Sequence, residues 1–136
     1  MALFAWGANN YGQLGLGWTS EQENSPISVN NLPVPISECR QIIGGGGHSL
    51  LLDSRGNVYS TGWNSSGQLG LGHCDNVSHW NKVECPAKIV SAGAGWDHSL
   101  LLSEKGELYC CGSNSFGQLG QLQIRLKSDC QFDPCS

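Results

Sequence analysis

Short apolar runs alternate with glycine-anchored polar turns along this chain, and the apolar positions do not recur at the three-and-four spacing of a helix. His48-Ser49-Leu50-Leu51-Leu52 and His98-Ser99-Leu100-Leu101-Leu102 read as short buried strands. Asn57-Val58-Tyr59-Ser60-Thr61 and Glu107-Leu108-Tyr109-Cys110-Cys111 read as their hairpin partners. Arg55-Gly56 and Lys105-Gly106 supply the turns, where glycine takes the positive φ that a tight hairpin needs. Ile42-Ile43 and Ile89-Val90 predict a third strand in each unit, and their offset of 47 implies three extra residues before His98.

The pattern is a repeat. Gly7-Ala8-Asn9-Asn10-Tyr11-Gly12-Gln13-Leu14-Gly15 returns as Gly62-Trp63-Asn64-Ser65-Ser66-Gly67-Gln68-Leu69-Gly70, then as Gly112-Ser113-Asn114-Ser115-Phe116-Gly117-Gln118-Leu119-Gly120. The offsets are 55 and 50 residues, and the two histidine blocks are also 50 apart. In each Gly-Gln-Leu-Gly turn the glycines permit sharp bends, the leucine fills a core position, and the glutamine amide satisfies loop backbone groups. His48 and His98 are expected to be structural, bonded to backbone within the blade. Polar connectors follow each turn and can supply one further edge strand, giving units of three or four strands and about 50 residues, the size of a propeller blade. The expected fold is therefore all-β, a partial β-propeller of about two to two and a half blades. Repeats occupy residues 1–120, with units near 1–17, 18–72 and 73–120. Residues 121–136 carry no repeat and are expected to be poorly ordered.

Composition narrows the functional classes. Glycine supplies 19 of 136 residues, and charged residues only 13%, against about 25% in a typical globular chain. The net charge of −4 argues against binding a nucleic-acid backbone. No apolar run is long enough for a membrane span, so no membrane insertion is expected. The first residues lack a secretory pattern, and seven cysteines form an odd set, so reduced thiols in the cytoplasm, or also the nucleus, are expected. Without secretion, the sequons at Asn64 and Asn76 should stay unmodified. Cys130 and Cys135 have no second pair at zinc spacing, so neither a metal nor another cofactor is expected.

The paired blocks resemble the repeat of the regulator of chromosome condensation family, over about residues 3 to 120. The resemblance implies a seven-bladed β-propeller, of which this chain would form an open part, since seven such units need about 350 residues. It also implies a protein partner, a small GTPase, with guanine nucleotide exchange as the only enzyme-like activity, together with regulation of secretion and contact with the exocyst. The alternative is a truncated, non-exchanging isoform or scaffold fragment produced by alternative splicing. An open ring leaves strand edges unpaired, so the isolated chain is expected to be marginal in stability.

Other chemistry is weaker. Asp97-His98-Ser99 holds the residue types of a hydrolase triad, yet neighbours on a strand face opposite ways and His48 has Gly47 in the aspartate position. No catalytic residue, hydrolytic or redox, is assigned. Gly44 to Gly47 and Gly93-Ala94-Gly95 complete no phosphate-binding fingerprint and fit close strand approach better. Trp6 and Trp63 are expected to pack between blades, and Trp96 is a further anchor candidate. Trp18 and Trp80, in the variable connectors, are the candidate partner contacts. The connector acids Glu21, Glu23, Asp75 and Glu84 read as solvated.

Overall fold

In a computed structural model of the chain, residues 2–113 and 129–134 are described. They contain ten strands, a single 3-10 turn at Ile36–Glu38 and no α-helix. Strands β1 (Phe4–Ala8) and β2 (Gln22–Ser28) form a two-stranded sheet. Strands β3 (Cys39–Gly44), β4 (His48–Asp53), β5 (Val58–Gly62) and β6 (Val77–Lys82) form a four-stranded antiparallel sheet in chain order. Strands β7 (Ile89–Ala94), β8 (His98–Ser103), β9 (Leu108–Gly112) and β10 (Asp129–Pro134) form another. The molecule is thus a half-blade followed by two full blades, a partial β-propeller.

Local chemistry sets the strands. The β4–β5 hairpin turns at Gly56, with φ of +86°, and Gly106 repeats this at +83°. The buried Asp53 carboxylate braces the first turn, accepting from the Arg55 and Asn57 backbone N–H groups at 2.9 and 2.8 Å. Ser103 takes that place in the second, its hydroxyl oxygen accepting from the Glu107 N–H at 3.1 Å. Register is shared: His48 opposes Gly62 and His98 opposes Gly112, four residue pairs before Leu52–Val58 and Leu102–Leu108.

Two details differ from the sequence reading. Ile42 opposes Leu51, and Ala92 opposes Leu101. Ile42 therefore corresponds to Ala92 at an offset of 50, and no extra residues precede His98. The misalignment arose because small residues replace the isoleucines in the second copy. The tail also contributes: Asp129–Pro134 pairs antiparallel with β9, and Phe132 is buried. The fourth strands β2 and β6 come from the polar connectors, so each sheet runs past the unit boundary drawn at the repeated turn.

The core lies between the full blades. Leu52 and Val58 of the first meet Ile89, Leu101, Tyr109, Cys111 and Phe132 of the second, with Val83 from the connecting loop. Each fully buried aliphatic side chain here contributes about 1.5–3 kcal/mol of hydrophobic stabilisation.

Candidate interaction surface

The repeated polar residues converge on the seams between blades. His48 is buried in the first full blade, and its Nε2 lies 2.8 Å from the Ser99 hydroxyl of the second. That hydroxyl donates to the Gln68 carbonyl at 2.7 Å, so it accepts from a protonated Nε2 and fixes the neutral tautomer. The preceding seam repeats the second half of this chain: the Ser49 hydroxyl donates to the Gln13 carbonyl at 2.7 Å. The glutamine side chains act inside their own turns, Gln13 Oε1 accepting from the Tyr11 N–H and Gln68 Oε1 from the Ser66 N–H, both at 2.9 Å.

Burial lowers the His48 pKa to about 4, with the neighbouring His98 charge acting the same way; the His98 backbone and Asp97 oppose it. A buried histidine beside a serine resembles a hydrolytic pair. Here Ser99 and His48 are both buried, and the serine proton is committed to a carbonyl. No carboxylate bonds the remaining His48 nitrogen among the described residues. The pair joins two blades, so His48 bonds a side chain across the seam and not the backbone within its own blade as expected.

Asn9 and Asn64 are the residues that sequence reasoning passed over. Both are buried, and each binds the strand-to-turn connection from within. Asn64 Nδ2 donates to the carbonyls of His73 and Asp75 at 2.8 and 2.9 Å, while its Oδ1 accepts from the Leu69 N–H at 3.0 Å. Asn9 likewise donates to the Trp18 carbonyl and accepts from Leu14 N–H. Their recurrence two residues after Gly7 and Gly62 is the signal that marks them.

Gly12, Gly15, Gly67 and Gly70 all have positive φ, between 67° and 83°. Leu69 is fully buried, whereas Leu14 is half-buried beside Trp80 in a cavity of about 120 Å³. His98 is half-buried, in contrast to His48. Gly117, Gln118, Leu119 and Gly120 lie outside the described residues, as do the side chains of Cys130 and Cys135. No group of three or more metal-ligating side chains converges among the described residues.

The aromatic side chains divide differently from expectation. Trp80 is half-buried, its indole so close to Gly15 that a Cβ there would come 2.5 Å from Nε1. It packs one unit against another, while Trp18 is exposed. Trp6, expected between blades, is 60% exposed. Trp63 does lie at a seam. It stacks on Tyr11 at 5.2 Å between ring centroids and meets Trp96 edge-on at 6.3 Å. Tyr11, Trp63 and Trp96 thus form a continuous row over three successive units, ending in Trp96 at 71% exposure. Glycine makes the row possible: a Cβ at Gly46 would strike Trp96, and one at Gly47 would come 2.9 Å from Tyr11. A row of aromatic side chains carried on glycine-spaced loops is the kind of surface that docks a protein.

The repeat profile described as regulator of chromosome condensation (RCC1) repeat matches residues 2–52 and 55–102. A second profile with that description matches 40–68 and 89–118. The chain belongs to the RCC1 repeat family. Its RCC1 repeats are 45% identical over 100 residues to the secretion-regulating guanine nucleotide exchange factor of Bos taurus, covering 71% of this chain and 21% of that protein. The Mus musculus protein of the same name is 41% identical over 105 residues, covering 70% and 20%. The RCC1-repeat chain therefore spans about a fifth of these curated relatives. Yeast RCC1 (Prp20), solved bound to Kap60, superposes with a TM-score of 0.85 at 23% identity, over 99% of this chain and 33% of that one. That likeness establishes the propeller fold.

Proposed function

We propose that this chain is a protein-docking propeller segment that engages a small GTPase, as part of guanine nucleotide exchange linked to secretion. The observation that carries the docking role is the Tyr11–Trp63–Trp96 row, solvent-facing at Trp96 and held on glycine-spaced loops. The choice of a GTPase rests on the similarity to secretion-regulating guanine nucleotide exchange factors. Exchange requires no acid or base from the propeller, since the factor acts by binding the nucleotide-free state of its partner more tightly than the loaded state. Trp18, exposed on the first connector, is proposed as a further contact. The exocyst is proposed as a second protein partner, and the cytoplasm, with the nucleus, as the compartment.

Binding of the 136-residue chain to a panel of nucleotide-free and loaded GTPases tests this reading. A state-dependent complex weakened about tenfold or more by Trp96→Ala supports it, in keeping with tryptophan at a docking centre. No complex in either state overturns it. A second reading is a non-exchanging scaffold fragment, because the chain spans only about a fifth of its relatives' length. Fluorescent-nucleotide release separates the two: binding without faster release leaves the scaffold.

A further inference from the structure

The two ends of the arc expose opposite halves of the seam that the chain builds inside itself. Counting back from Gly7, Gly62 and Gly112, Trp6 corresponds to Thr61 and Cys111, and Phe4 to Tyr59 and Tyr109. These positions face the preceding blade. The Thr61 hydroxyl donates to the Gly12 carbonyl at 2.8 Å, and Tyr109 and Cys111 lie in the core against Leu52 and Val58. In the half-blade the same face is open, with Phe4 50% and Trp6 60% exposed.

At the other end, Leu102 corresponds to Leu52 and Leu108 to Val58. Leu52 and Val58 are buried by the following blade, whereas Leu102 and Leu108 are 38% and 41% exposed. His98 stands where His48 bonds Ser99, and it is half-buried where His48 is fully buried. One end therefore presents the backward-facing half of an apolar seam, and the other presents the forward-facing half.

We propose that this chain self-associates head to tail, the Phe4–Trp6 face of one copy packing on the His98–Leu102–Leu108 face of the next. The occupant is a second copy because the chain already joins these two kinds of face, Tyr109 and Cys111 against Leu52 and Val58, and each copy carries one unsatisfied example of each. The bulk of Trp6 and Phe4 supplies apolar surface that the half-blade, which has no strands equivalent to β3 and β4, does not otherwise bring. The contact is heterologous: it closes into a ring if the rotation permits and otherwise grows as a chain of copies.

Sedimentation of the 136-residue protein over a wide concentration range tests the proposal with two surface variants, Trp6→Glu and Leu108→Glu. Circular dichroism and a thermal melt confirm that each variant folds, which the exposure of both sites favours. The wild type is expected to rise in mass above the monomer with concentration. Each variant alone is expected to be monomeric, because a carboxylate buried in an apolar seam has no partner. An equimolar mixture of the two is expected to stop at the dimer, since one variant keeps an intact head and the other an intact tail. A wild type that is monomeric throughout overturns the proposal. So does association abolished by one substitution and untouched by the other, which would mean a symmetric contact between like faces.

Discussion

His48 shows how much a single buried side chain governs. It is neutral in the folded blade, with a pKa lowered to about 4 by burial, against an ordinary value of 6.5. Between those values the unfolded chain takes up a proton that the folded chain refuses. The stabilising contribution of His48 is therefore fully present above pH 6.5, falls as the pH drops, and is lost by about pH 4. The size of the effect is about 3 kcal/mol over that interval. Denaturant melts from pH 7.5 to 4 should show this decline, and His48→Gln should flatten it while lowering stability at pH 7.5. The structural character of this histidine was readable from its duplication in His98. Its partner was not, because Ser99 lies 51 residues away in the next unit and only the stacking of blades brings them together.

Among the elements, the hairpins were the most legible and β10 the least. Arg55-Gly56 and Lys105-Gly106 announce turns by local chemistry alone, since positive φ at both glycines is what the hairpin requires. Strand β10 has no such signature: it lies outside the repeat, and its pairing with β9 rests on backbone groups that any sequence carries. Its anchor is Phe132, buried beside Gly70, where a Cβ would strike the phenyl ring. Phe132→Ala is expected to cost about 3–5 kcal/mol, the range for emptying a buried aromatic site. A urea titration of the full chain measures it. A loss below about 1 kcal/mol would mean that β10 does not close the second full blade. The aromatic row was partly legible: Trp63 was placed at a seam, but nothing in its spacing indicated that Tyr11 and Trp96 would flank it.

For the whole molecule, position along the arc outweighs residue type. Leu52 and Leu102 each end the same His-Ser-Leu-Leu-Leu block and share one register, yet one is sealed by the next blade and the other is open. Leu52→Ala is therefore expected to cost about 2–5 kcal/mol, and Leu102→Ala under about 1 kcal/mol in dilute monomer, because a partly exposed leucine returns little area to water. Paired chemical melts compare the two directly, and equal losses would contradict the stacked order. The neighbouring sheets draw closest at β3, β4 and β7. There the Gly46 N–H donates to the Gly95 carbonyl at 3.1 Å, and a Cβ at Gly45 would sit 2.5 Å from that same oxygen. Backbone touches backbone with no clearance, so hydrogen side chains at this rim fix the wedge angle between modules. A methyl group inserted at Gly45 would pry the rim apart and flatten the curvature, and a circle drawn at that gentler bend would need more modules to complete.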